Sequence, residues 1–435
     1  MIFSLIICIS ILLLSIAKFK FNSLISLLGA TVLFGITSGL PLEQIPATIY
    51  KGFGDQVKSL ALLITFGAIL GRLLNESGAS SQIAETLLNF FGAKNVQVAV
   101  LSVALLIGIT MFFEAAFIVL IPIIYSLSQK MNRSLIYIGL PGVIGLSITH
   151  SFLPPHPGPA AVCTLYEADI GLTLIFGLIL VLPCAFLTGI FYSRSRWANS
   201  VNPPLPKEFL PQETDSKKKP PFLTGLFCII LPVILIAAPT ILKFVSLEVP
   251  AINFFGSPPL AMLVGVFFAM YFLGIRRGMS LSQINALINQ AAQSVAMIIL
   301  TIGAGGAFKQ IIVDTGLGNY IAARMLELDL SPLISAWALA ALIRFAVGSA
   351  TVAITIAAGI MLSVVQNANI QPEIMVLATS TGSIFASHVN DPGFWLFKEY
   401  FNLSLTDALK IRTTYTCILS VLGLAGVILI NFASS

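Results

Sequence analysis

Long apolar runs separated by short polar stretches govern what this chain can become. They lie near residues 2–17, 22–40, 59–74, 96–129, 135–152 and 171–193, and again near 222–242, 258–275, 288–308, 333–366, 373–387 and 413–432. A membrane-crossing helix needs about 20 apolar residues, so most of these runs predict one pass each. The runs 96–129 and 333–366 are too long for one pass, and each predicts two short passes or a re-entrant hairpin. Hydrophobic residues make up 57% of the chain and charged residues 9%, against about 25% charged in a soluble domain. A soluble fold of this make-up would expose aggregating apolar patches. The expectation is therefore an all-α polytopic membrane protein with the lipid bilayer as its solvent. The first run has no basic residue before it and is followed by Lys18 and Lys20, so it reads as a retained helix of about 24 Å and not as a signal peptide.

The net charge of +5 is spread over short loops, where it orients the chain and offers no nucleic-acid surface. Arg194, Arg196, Lys207 and Lys217–Lys219 form the strongest basic cluster, in the polar segment 194–221, which is placed in the cytoplasm. Prolines 203, 204, 206, 211 and 220 make that segment a flexible linker. It separates a first transmembrane repeat, 1–193, from a second, 222–435. Glu76-Ser-Gly78 recurs as Asp314-Thr-Gly316, 238 residues on. Phe113–Ala116 matches Gly348–Thr351, and His156-Pro-Gly158 matches Asp391-Pro-Gly393, both at an offset of 235. Counting crossings, the second repeat runs opposite to the first. Inverted repeats with matched broken segments place a binding site near the membrane midplane.

The segment Ser147-Ile-Thr-His-Ser-Phe-Leu-Pro-Pro-His-Pro-Gly-Pro159 is predicted to interrupt a helix, because each proline lacks an N–H and clashes with the preceding turn. Backbone that leaves helical form at membrane depth must be shielded by protein or line a wet cavity. His156 and Asp391, each before Pro-Gly, are candidates for substrate binding and for the coupling proton, or else stabilise turns. Glu114 lies far from any polar loop and is either a proton carrier or a structural acid at a hairpin tip. Gly348, Ser349 and Thr351 suit a polar lining as well as plain helix packing. Ser151 and Asn390 are further binding candidates, and His150 and His388 further proton-coupling ones. Arg344 is suited to a substrate carboxylate, to a structural pair or to snorkelling. The scattered cysteines (Cys8, Cys163, Cys184, Cys228, Cys417) show no metal or redox spacing. Gly303-Ala-Gly-Gly306 lacks the Gly-Lys-Ser/Thr ending of a phosphate loop, and no cofactor is expected.

Phe112-Phe-Glu-Ala-Ala-Phe117, Ser151–Pro159, Gly303-Ala-Gly-Gly-Ala-Phe308 with Asp314-Thr-Gly316, Gly348-Ser-Ala-Thr-Val-Ala353 and Ser387-His-Val-Asn-Asp-Pro-Gly-Phe-Trp395 together resemble the gluconate permease (gluconate:proton symporter) family over nearly the whole chain. The resemblance implies uptake of small hydroxylated carboxylates across a bacterial inner membrane, usually with protons. Relatives handle gluconate, other sugar acids, glycerate or D-serine. It also implies the ion-transporter superfamily fold: inverted repeats, re-entrant hairpins, and homodimers that move the site by an elevator-like step. The expected function is thus proton-coupled symport of a small hydroxylated monocarboxylate. Sodium coupling around Ser349, Thr351 and Asn390 is the alternative within the class. An intramembrane enzyme using His156 and Asp391 is the alternative outside it, and lacks a nucleophile–base motif.

Overall fold

A computed structural model describes residues 2–203, 219–244, 246–247, 249–317, 331–388 and 391–434. Asn390 and residues 204–218, the centre of the expected linker, lie outside the described residues. The described residues are helical throughout their regular structure, and they hold eight helices long and apolar enough to cross a membrane. In the first half the order is α1 (Ile2–Ala17), α2 (Ser23–Thr37), α3 (Gln44–Glu76), α4 (Ala79–Phe91), α5 (Val96–Gly108), α6 (Phe113–Met131), α7 (Leu135–Phe152), α8 (Pro157–Tyr166) and α9 (Ile170–Phe186), the last prolonged as a π-helix over Leu187–Tyr192. After the short α10 (Arg196–Asn199) come α11 (Phe222–Phe244), α12 (Pro250–Gly256), α13 (Pro258–Ala269), α14 (Leu281–Asp314), α15 (Pro332–Val347), α16 (Ala350–Asn367), α17 (Pro372–Gly382), α18 (Pro392–Tyr400), α19 (Leu405–Ala408) and α20 (Thr414–Ser434).

Local chemistry explains most boundaries. Asn22, Ser134, Asp169, Ser280 and Ser349 each accept a backbone N–H of the first turn they precede, which satisfies a donor the helix cannot. Both overlong runs split, at residues 109–112 and at Gly348-Ser349. Gly348 has φ +80°, a left-handed helix end that a side chain disfavours. The proline segment corrects the sequence expectation in one respect. The helix is interrupted only between Phe152 and Pro157, while Pro157 and Pro159 sit in the first turn of α8, where a missing N–H leaves no bond unmade.

The order of elements recurs. In each half a helix breaks and resumes (α5 to α6; α15 to α16), a second does the same (α7 to α8; α17 to α18), and an apolar helix with a π segment at one end follows. Ahead of these stand the long helices α3 and α14, which extend well past the apolar runs 59–74 and 288–308. They form the most extensively packed helix pair of the fold, so their polar turns are stabilised by each other. A Cβ added to Gly52 would lie 2.4 Å from Gly306 O, and one on Gly306 would lie 2.4 Å from Gly52 O. Gly303 faces Phe53 and Val57, and Gly305 faces Thr355. The glycine cluster is therefore a helix-crossing surface. Large apolar side chains such as Phe254, Phe267, Leu429 and Phe432 remain exposed, as expected for a chain whose outer solvent is lipid.

Candidate functional site

The four breaks meet. A cavity of about 400 Å³ lies among them. Its wall includes the first residues of four helices: Phe113 and Glu114 of α6, Pro157 of α8, Ala350 and Thr351 of α16, and Pro392 and Gly393 of α18. Free N–H groups and the positive end of the helix dipole collect at helix N-termini. Four of them around one space make it favourable to an anion.

A buried charge cluster forms one side. Arg344 Nη2 lies 2.6 Å from Asp391 Oδ2, and Arg412 Nη2 lies 3.2 Å from the same oxygen. Asp391 Oδ1 accepts the Gly393 amide at 2.9 Å, and Ser387 Oγ donates to Oδ2. Arg412 is fixed further by Nε to Ser387 Oγ (2.9 Å), Nη1 to Tyr415 Oη (3.1 Å) and the Phe113 ring beneath it at 5.0 Å. Arg344 Nη1 also donates to the carbonyl of Gly348, at the neighbouring break. All three charged residues are buried. Two guanidinium groups against one carboxylate leave one net positive charge in the cluster. Among the described residues, Arg344 Nε and His150 Nδ1 are buried without a hydrogen-bond partner, and both side chains belong to residues of the cavity wall. Hydroxyls of Ser151, Thr301, Ser349, Thr351, Ser387 and Thr416 line the rest.

Of the residues singled out from sequence, Glu114, His150, Ser151, Gly348, Ser349, Thr351 and Asp391 lie in this one wall, together with Arg344. His156 does not. Its Nε2 donates to Gly108 O at 2.5 Å, the ring is buried, and only its neighbour Pro157 reaches the cavity. The histidine thereby satisfies a carbonyl at the end of α5 that the helix leaves free. His388 lies outside the wall, with its ring edge-on to Phe345 at 4.7 Å. Sequence reasoning missed Arg412, Ser387 and Thr301. Arg412 stands just before the run 413–432, where it reads as an interfacial anchor. A π-helix over Leu409–Thr413 carries it inward, and no local pattern signals that.

The architecture is shared with solved transporters. The YdaH transporter of Alcanivorax borkumensis superposes with a TM-score of 0.67 at 18% identity, covering 91% of this chain and 90% of that one. MtrF of Neisseria gonorrhoeae gives 0.59 at 15% identity, covering 90% and 84%. Fold and apolar helices thus define a multi-pass membrane protein. Residues 1–433 match the GntP family permeases, and the chain belongs to that family. Among its relatives, a high-affinity gluconate transporter of Escherichia coli K12 is 40% identical and the Gnt-II system L-idonate transporter of the same organism 38%, each over 97% of both chains. A gluconate permease of Bacillus subtilis 168 is 35% identical, also over 97% of both.

Proposed function

We propose that the central cavity binds a small hydroxylated monocarboxylate such as gluconate, and that the chain carries it inward across a bacterial inner membrane together with a proton. The observation that carries this reading is the convergence of four helix N-termini and two arginines on one hydroxyl-lined space. The arginines and dipoles suit a carboxylate, and the hydroxyls suit a polyhydroxy tail. Relatives named for gluconate and idonate support the same substrate class. The recurring element order supports the division into repeats 1–193 and 222–435, inverted against each other about the cavity. A homodimer with an elevator-like step belongs to the same reading.

The test is uptake into proteoliposomes under a pH gradient, with competitors. Sorbitol, the uncharged counterpart of gluconate, lacks the charge-assisted bonds and should compete about 10- to 100-fold more weakly than gluconate. Equal competition by the polyol would sink the carboxylate assignment.

Glu114 is the better coupling group of the two carboxylates in the wall. Asp391 already bonds both arginines, whereas Glu114 is exposed and forms no ion pair among the described residues. With Glu114 ionised, the formal charges of Arg344, Arg412, Asp391 and Glu114 cancel. With Glu114 protonated, one positive charge remains to match a monocarboxylate, so proton and substrate favour each other's binding. Glu114→Gln should therefore abolish accumulation driven by a pH gradient and leave exchange of labelled for unlabelled gluconate intact. Normal accumulation by this variant with unchanged pH dependence, or uptake that follows a sodium gradient instead, would refute proton coupling through Glu114.

A further inference from the structure

We propose that Phe112 is the gate between the central cavity and a solute path that runs along the groove formed by α3 and α14, beside the break at 109–112, to the face carrying Arg276 and Arg277. The proposal rests on the central cavity being the substrate site. Phe112 belongs to the walls of two cavities at once: the central one and a smaller one of about 150 Å³. The smaller one is walled by Gly67, Gly71 and Arg72 of α3 and by Gln290 and Ser294 of α14. It has the liquid volume of about five waters. Next along the same two helices comes a cavity of about 760 Å³, bounded by Glu76, Gln283 and the turn Arg276-Arg277-Gly278. Arg72 joins the two. It lies in the wall of the smaller cavity, donates to Gln290 Oε1 at 2.8 Å, and pairs with Glu76 of the outer cavity at 3.4 Å. Polar groups therefore run from the central site to this face, with one aromatic ring standing across them.

The ring is held where a gate would be. Phe112 is extended (φ −62°, ψ 151°), the last residue of the break before α6. The break approaches α3 closely because Gly71 has no side chain: a Cβ there would lie 3.2 Å from Thr110 O and 3.3 Å from Met111 Cγ. His150 and His156 meet the Phe112 ring edge-on, with centroids at 6.3 and 6.2 Å. His156 is itself tied to Gly108, the last residue of α5. His156, although outside the central wall, is thus a positioning residue for the ring. The break and the proline turn brace each other through this contact.

Cysteine accessibility in the full-length protein tests the idea. Of the native cysteines, Cys417 is the half-buried one and is replaced by serine. Thr301→Cys reports on the central cavity and Ser294→Cys on the smaller one. Membrane vesicles are exposed, on the face carrying Arg276 and Arg277, to a membrane-impermeant methanethiosulfonate. Ser294→Cys should react at the same rate with Phe112 present or replaced. Thr301→Cys should react slowly with Phe112 present, and its rate should rise on the order of tenfold with Phe112→Ala. Phe112→Leu should fall between, and serves if the alanine variant does not fold. Thr301→Cys rates that do not depend on residue 112 would overturn the gate. Gluconate should protect Thr301→Cys from the reagent. Protection without any effect of Phe112 refutes the gate and leaves the substrate site standing. An effect of Phe112 without protection refutes the substrate site instead.

Discussion

Replacing Arg344 with glutamine should abolish gluconate uptake and destabilise the protein by about 1.5–3 kcal/mol, the range for losing hydrogen bonds to a charged group. Asp391 would keep Arg412 at 3.2 Å but lose its nearer partner at 2.6 Å. The carbonyl of Gly348 would lose its donor as well, so the break between α15 and α16 would loosen together with the turn before α18. Thermal unfolding in detergent measures the first effect and proteoliposome uptake the second. Two further variants separate charge from geometry. Arg344→Lys keeps the charge but not the planar fork, and should recover part of the stability without recovering gluconate affinity. Arg344→Gln combined with Asp391→Asn strips Arg412 of its carboxylate as well and leaves that charge buried and unpaired, so it should be less stable than Arg344→Gln alone and equally unable to transport. If Arg344→Gln takes up gluconate at the normal rate, the cluster is structural and the substrate carboxylate binds elsewhere.

Gly306→Leu should leave little folded protein, because α3 and α14 cross there backbone against backbone. The first added atom would already sit 2.4 Å from Gly52 O. A carbonyl in a packed helix cannot rotate away as a side chain can, so the helices would have to part by about an ångström along their whole contact. Overpacking a core usually costs about 1–3 kcal/mol. The leucine side chain should exceed that range, and Gly306→Ala should lie at its upper end. Gly29, in α2, is the matched control. A Cβ there meets nothing within 4 Å, and alanine is favoured over glycine in a helix by about 1 kcal/mol. Gly29→Ala should therefore unfold at the same temperature as the parent or slightly above it. Equal melting temperatures for Gly306→Ala and the parent would show that the two helices separate without penalty. The crossing would then not be what holds the long helices together.

Much of the architecture is legible without coordinates because lipid is a demanding solvent. Every backbone group in it must bond internally, so apolar length translates directly into helices. The run 135–152 is α7 (Leu135–Phe152) to the residue, and the overlong run 333–366 breaks at the small residues Gly348-Ser349, while the break in 96–129 falls in the mostly apolar stretch 109–112 after Gly108. The offset between His156-Pro-Gly158 and Asp391-Pro-Gly393 likewise pointed to two turns at one place, and both reach the same cavity through Pro157, Pro392 and Gly393. Short helices were harder to read. α4 is amphipathic, and α8 and α18 begin at prolines, so none of them forms an apolar run long enough to register.

The division of roles inside the site was decided by tertiary structure alone. His156 and Asp391 occupy matching positions in the sequence, yet one ring turns to a backbone carbonyl and the other side chain gathers two arginines. Arg344 stands 47 residues from Asp391 along the chain and Arg412 stands 21. Hydrophobic period, proline and glycine are local signals that set where helices begin, end and break. Which buried charge finds which partner depends on how closely the broken ends approach, and that distance is set by packing such as the Gly52–Gly306 crossing. The sequence by itself therefore determined that this chain spans a membrane with paired breaks. Only the folded arrangement decided that those breaks enclose a hydroxyl-lined cavity with two arginines and two carboxylates in its wall, because desolvated charges must be neutralised by whatever the fold brings within reach.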